Sequence, residues 1–355
     1  MKKVEMTMIM LVAVLMLALG SIGCTDETKG ENNSSIANDF DATVVNEQPE
    51  FESEVILASS EKVKELVDSV EKDLFTPNGS EITDILIVGP KVYSTFEEGV
   101  MVYDLMTNDN YVVESDEGLN ALAFYLGDVY VGGNGLYKVK EKILEPVDLQ
   151  LTGIITGLCP YEYRLVIGTE CGLHANSIFG HEVLFDDIKV SAITTSSDGL
   201  WVGTDGQGLY KWDGREFNRR FLRRDTTIFD YVQALDFNHG HLYVGTSNAL
   251  YSYNGGSWKT FTTEDGLPSD DIRAIDASNW IVYIGTEKGV ASFFNEEFKV
   301  IDKLSSYAAS SLGINEKSLF VGTAREGLLK KTGPVVKVLK KTLPSPSEPV
   351  ALTDN

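Results

Sequence analysis

The stretch VSAITTSSDGLWVGTDGQGLYKWDG, residues 190–214, decides the fold. Its first fifteen residues carry two short extended runs, a Gly-containing turn leads into the aromatic run GLYKWDG (208–214), and a fourth run, REFNRRF, follows at 215–221. Four short strands joined by tight turns make one small antiparallel sheet. Such a sheet has two apolar faces and cannot bury both alone.

Working outward, the fifteen-residue pattern recurs without a gap as LNALAFYLGDVYVGG at 119, ITGLCPYEYRLVIGT at 155, VQALDFNHGHLYVGT at 232, IRAIDASNWIVYIGT at 272 and ASSLGINEKSLFVGT at 309. A seventh copy, ITDILIVGPKVYST at 82, is one residue short. The anchors Thr95, Gly133, Thr169, Thr204, Thr246, Thr286 and Thr323 stand 38, 36, 35, 42, 40 and 37 residues apart. A period near forty is the signature of a radial array, in which stacked sheets bury each other's faces. The expected fold is all-β, a seven-bladed propeller over residues 82–340, with strands A to D running from the axis outward. Side-chain size agrees. The third position of strand A is Ala121, Gly157, Ala192, Ala234, Ala274 or Ser311, with Asp84 as the exception, and strand B carries Gly132, Gly168, Gly203, Gly245, Gly285 and Gly322. The bulk lies further out, in Tyr210, Trp212, Phe217, Tyr251, Trp258 and Phe298. Small inside and large outside is the packing of a wedge.

Residues 266–290 (GLPSDDIRAIDASNWIVYIGTEKGV) and 190–214 resemble two-component-regulator propeller repeats, found in sensor ectodomains of hybrid histidine kinases. The resemblance covers about 82–340, is sharpest in the copies at 190, 232 and 272, and implies sensing of a ligand or partner. WD repeats fit less well, because Gly180-His181 and Gly240-His241 fall at unrelated places in their copies. No transmembrane helix, coiled coil or kinase pattern follows the repeats, which separates the chain from the sensor architecture.

Ahead of the repeats, Lys2 and Lys3 precede an apolar run from Met8 to Leu19. That run is too short for a comfortable membrane span and reads as a signal peptide, residues 1–23. Gly20, Ser21, Ile22, Gly23 and Cys24 resemble a bacterial lipobox, with Ser21 where Leu is usual, so Cys24 is the expected lipidation site and the cell envelope the expected location. Residues 24–50 read as a flexible acidic tether. In the segment 51–81, Val63, Leu66, Val67, Val70 and Leu74 fall at helical spacing, predicting one short amphipathic N-terminal helix. Residues 341–355 form a tail, and the last strand of blade seven is expected near Val335–Leu339, leaving ring closure to side-chain packing.

The chain has 355 residues, a formal charge of -23, three cysteines and four histidines. Its charge repels nucleic acid and anionic lipid, so the membrane is met through the lipid anchor only and nucleic acid is not an expected partner. No catalytic set, metal site or cofactor motif assembles in the sequence. His239 and His241 fall in an AB turn, His181 in a CD turn and His174 on a strand C, a scattered arrangement. Cys159 and Cys171 are placed at opposite ends of a strand B, too far apart to bridge. Arg219, Arg220, Arg223 and Arg224 form one dense basic cluster, either a solvated strand end or a docking site for an acidic partner or glycan.

The candidate ligand site is the channel mouth. The second residue of strand A is polar in every copy: Thr83, Asn120, Thr156, Ser191, Gln233, Arg273 and Ser310, with Arg273 the one charge and the expected anchor. Either these residues line a hydrated channel, or they bind a small polar molecule or glycan. The expected function is a monomeric, lipid-anchored binding or sensing propeller without catalysis. An envelope assembly scaffold, similar to the propeller lipoprotein of the barrel-assembly machinery, is the second reading, and a propeller lyase or lactonase the third.

Overall fold

The computed structural model describes residues 69–71, 80–220, 231–278, 281–315 and 317–332. They form seven four-stranded antiparallel sheets. The inner strands are Asp84–Val88, Leu119–Tyr125, Ile155–Tyr161, Val190–Ser196, Val232–Asn238, Ile272–Asp276 and Ala309–Ile314. Each packs beside the inner strands of the blades before and after it, and the first also packs beside the seventh, so the sheets close a ring. The seven-bladed propeller expected from the repeats is therefore the fold. Among the described residues the only helical turns are two 3-10 segments, Thr263–Asp265 and Asp302–Leu304, and no helix is long and apolar enough to cross a membrane.

Two recurring sequence features have direct packing roles. The strand-B glycines are holes for the next blade's first inner-strand residue. A Cβ on Gly132 would stand 2.5 Å from Ile155, on Gly168 2.5 Å from Val190, on Gly203 2.4 Å from Val232 and on Gly245 2.6 Å from Ile272. Around the ring, Gly322 of blade seven meets Ile82 of blade one in the same way, at 2.7 Å. The anchor threonines staple the turn that follows strand B. Thr169, Thr204, Thr246, Thr286 and Thr323 are buried and donate to the carbonyls of Gly172, Gly208, Ala249, Gly289 and Gly327, at 2.6–3.1 Å. A buried hydroxyl that satisfies a turn carbonyl recurs in these five blades, three to seven, because each has a tight turn of three or four residues after strand B.

Blade seven differs from expectation. Its fourth strand is Ser69–Glu71, antiparallel to Leu328–Thr332 with Ser69 opposite Thr332, Val70 opposite Lys331 and Glu71 opposite Lys330. The ring is thus closed by backbone pairing between the two ends of the repeat array. This strand lies ahead of the boundary at 82 and inside the stretch whose spacing predicts a helix. Val70 satisfies the helical period, but a free sheet edge offers its backbone a ladder that a lone helix turn cannot match. The rest of the predicted helix and Val335–Leu339 lie outside the described residues, as do residues 1–68, including Cys24.

Candidate functional site

The inner strand of a blade is an edge strand, and its channel-side backbone groups need partners from elsewhere. Six of the seven inner strands carry a β-bulge between their first and third positions. The seventh, in blade one, is the copy that is one residue short, and it has none. The second position, predicted as the ligand ring, takes over the pairing. Thr83 donates to Leu119 O at 2.9 Å, Asn120 to Ile155 O at 3.2 Å, Thr156 to Val190 O at 2.7 Å, Ser191 to Val232 O at 2.5 Å and Ser310 to Ile82 O at 2.7 Å. In each case the acceptor is the carbonyl of the first repeat residue of the next blade, which in blade one is Ile82, just ahead of the strand. These five polar side chains lace the blades together.

Gln233 and Arg273 depart from that pattern. Gln233 is exposed and makes no hydrogen bond among the described residues. Arg273 turns back on its own strand, with Nε 3.0 Å and Nη2 2.9 Å from Asp271 Oδ2. The other carboxylate oxygen, Asp271 Oδ1, is buried without a partner. Gln233 opens into a depression of about 520 Å³ at the mouth, shared by blades three to five and lined also by Thr156, Ser191, Lys189, Asp205, Tyr231 and Ser247. Tyr231 is 51% exposed. Lys189 lies 2.9 Å from Asp205 and 3.8 Å from Glu170, and its hydrogen bond to Asp205 raises its pKa. An exposed ring, an unengaged amide and an ion pair around one hollow can meet a flat molecule carrying hydroxyls or amides.

Deeper in the channel stand three carboxylates that the repeat pattern does not single out as a group. Asp84 accepts from Ile85 N at 2.8 Å and from Leu122 N of the next blade at 2.7 Å. Asp236 accepts from Phe237 N at 2.8 Å and from Ala277 N of the next blade at 2.6 Å. Asp276 accepts from Ser278 N at 2.9 Å and from the Ile314 backbone of blade seven. The hydroxyl ring satisfies carbonyls and the carboxylates satisfy amides, which explains the one exception to the small third position. The channel admits water to these groups, yet protein surrounds them, so their charged forms are poorly solvated. Burial pushes Asp84 up to about 7 and Asp236 to about 6, and it also raises Asp276. The same cause, with the Asp236 charge second, pushes the Cys159 thiol to about 12. Cys159 and Cys171 are free thiols.

The histidines are less scattered than their sequence places suggest. His174 and His181 stack at 5.2 Å, with His181 Nε2 3.2 Å from His174 Nδ1, because they lie diagonally across paired strands on one face of blade three. Burial first, then the neighbouring His181, lowers the His174 pKa. His239 and His241 both line a slot of about 380 Å³ between blades five and six, at the end of the ring opposite the mouth. Among the described residues no three His, Cys, Asp or Glu side chains assemble as a metal site. Of the arginine cluster, Arg219 is exposed on the outer strand Phe217–Arg220 of blade four, and Arg223 and Arg224 lie outside the described residues.

The AB and CD turns of blades two and three present apolar groups to solvent, among them Leu126, Tyr163, Ile178 and Phe179. Tyr163 meets Phe179 edge-on at 6.2 Å, and its carbonyl accepts from Tyr125 Oη at 2.5 Å, next to Leu126 in the chain. Leu126 holds a φ of 49°, a left-handed conformation that a bulky side chain adopts at a cost.

No family model matches the chain, and no curated protein matches it in sequence. Solved structures do match in fold. The extracellular domain of a hybrid two-component system from B. thetaiotaomicron aligns with a TM-score of 0.63 at 15% identity, covering 76% of this chain and 41% of that one. The chain thus spans less than half of that ectodomain. A catalytically inactive virginiamycin B lyase from Staphylococcus aureus, with quinupristin, also gives 0.63, at 13% identity over 75% of this chain and 99% of the other. YCF48 bound to D1 peptide gives 0.58 at 10% identity, over 75% and 96%. These neighbours share the propeller architecture, a scaffold that hosts many functions.

Proposed function

We propose that this chain is a lipid-anchored, extracytoplasmic propeller that senses a small hydroxyl-rich ligand, such as an oligosaccharide, at the channel mouth. The observation that carries the reading is the hollow beside Gln233. Its amide is unengaged where five equivalent side chains are consumed between blades, and the exposed ring of Tyr231 stands against it. Arg273 stands one blade further round with Nη1 outside its Asp271 pair, a second contact for an acidic substituent. Sensor ectodomains stand among the structural neighbours, in keeping with a sensing role.

Calorimetric or array screening of neutral and acidic oligosaccharides tests this. A ligand that binds the wild type should lose at least about tenfold in affinity in Tyr231→Ala and Gln233→Ala, the loss of one stacking or well-made polar contact. Ligands that bind the variants as well as the wild type would move the site elsewhere. Intact-mass measurement of membrane-extracted protein tests the anchor, with a diacylglyceryl Cys24 N-terminus expected and a soluble mature chain beginning elsewhere as the refuting result.

A second reading, an envelope assembly scaffold, has its own support in the exposed apolar turns of blades two and three. Pull-down from envelope membranes with wild type and Leu126→Asp distinguishes it, since a scaffold would lose its partner while a mouth-binding sensor would keep its ligand.

A further inference from the structure

The slot between blades five and six has two unlike walls. Blade five supplies a polar one. Tyr243 pairs across strands with Ser252, and Ser252 with Lys259, so a phenol, a hydroxyl and an ammonium stand in one row. His241 Nδ1 lies 3.5 Å from Ser252 Oγ, at the edge of the same row. Blade six supplies an aromatic wall in Phe293, whose ring packs edge-on against Phe261 at 5.0 Å and Tyr243 at 6.1 Å.

Across the opening lies Glu296, whose carboxylate is ion-paired with Lys259. Glu296 sits in the tight turn between Gly289–Phe294 and Glu297–Val300, with φ 67° after Asn295 at φ 51°. Two left-handed residues are what such a hairpin turn demands, but glycine is the usual second one. Glutamate there costs backbone strain and places its carboxylate over the slot. Both partners of the pair are about half exposed, so little stability is gained in return.

We propose that the slot is a binding site for a small carboxylic acid with a flat apolar body. The ligand's carboxylate replaces that of Glu296 on Lys259, and its ring lies against Phe293 and Tyr243. Glu296 is a tethered stand-in that covers the ammonium while the slot is empty and swings into solvent when the acid enters. The group already seated on Lys259 identifies the head as a carboxylate, and the aromatic wall sets the body. In a chain of formal charge -23, the slot lining holds one ammonium, Lys259, against one acid, Glu296, so displacing Glu296 leaves that ammonium to an incoming anion. This site is separate from the mouth, whose lining residues it does not share.

The test is titration calorimetry on the full chain at low salt with phenylacetate, phenylacetamide and acetate. Phenylacetate should bind, and both the amide, which lacks the charge, and acetate, which lacks the body, should bind at least tenfold more weakly. Lys259→Met should weaken phenylacetate at least tenfold. Glu296→Gln should tighten it about two- to fivefold, since the competitor removed is an exposed ion pair. A merely structural role for Glu296 would leave affinity unchanged, so an unaltered Glu296→Gln overturns the proposal. Equal binding of acid and amide, or no binding by either wild type or Glu296→Gln, overturns it as well. Gln233→Ala at the mouth should leave phenylacetate binding intact, and a loss there would place the acid in the other hollow and refute this one.

Discussion

Replacing Asp84 by Asn should flatten the dependence of stability on pH. The Asp84 carboxyl titrates near 7 in the folded ring because burial disfavours its charge, against an ordinary value of 3.8. The folded protein therefore holds a proton on Asp84 that the unfolded chain has already lost. Its contribution to stability is fully present below about pH 4 and is lost as pH rises through 7. The full difference is about 4 kcal/mol at about 1.4 kcal/mol per pH unit, and between pH 5 and 8 the linkage relation gives roughly 2.5 kcal/mol. Asp236, raised to about 6 by burial, adds roughly 1 to 1.5 kcal/mol in the same direction. Asparagine carries no charge and keeps one acceptor oxygen for the Ile85 or Leu122 amide, so it sacrifices one of two hydrogen bonds, about 1 kcal/mol. Urea unfolding at pH 5, 6, 7 and 8 measures both effects. The wild type should lose roughly 4 kcal/mol over that range, and Asp84→Asn only about 1.5. If the variant loses as much as the wild type between pH 5 and 8, Asp84 is not a poorly solvated charge in the channel, and the account of the carboxylates as backbone partners between blades fails.

Removing one hydroxyl of the inter-blade lacing, by Ser191→Ala, should cost about 1 kcal/mol in urea, because it leaves the Val232 carbonyl without its 2.5 Å donor; no measurable loss would return the second-position residues to a purely solvent-facing role. Gly203→Ala drives a methyl to within 2.4 Å of Val232 and should cost about 1 to 3 kcal/mol by overpacking, read as a lower melting temperature, whereas a neutral effect would mean that the blades are not wedged. A chain starting at residue 80 lacks Ser69–Glu71 and should melt several degrees lower than the full chain, since blade seven is left with three strands; equal melting would refute closure by that strand.

The blade count was legible because most blades solve one packing problem with the same residues, a glycine hole, a branched knob and a threonine staple. Asp84 stood out as an exception without a visible reason, and the reason is a backbone amide in a neighbouring blade, information that no single repeat contains. The second-position ring was legible as polar, but its bonds follow from a bulge, and a bulge shows in sequence only as one residue more than blade one has. Ser69–Glu71 was misread because three residues are too few to display a period, and Val70 happens to fall on a helical one. The slot between blades five and six was missed for a similar reason. Lys259, Phe293 and Glu296 come from two copies and three strands or turns, and only the stacking of neighbours brings them together.

Closure by the strand Ser69–Glu71 also sets a timetable. Its partner ends at Thr332, about 260 residues later, which a ribosome adding about 5 to 20 residues per second reaches only after some tens of seconds. Throughout that interval the early blades exist beside a neighbour that has not been made, and an unpaired edge waits for it. The ring is therefore dated by the last of its strands to leave the ribosome. Any chaperone, translocation channel or protease that reads open sheet edges has at least that window in which to act on the nascent chain.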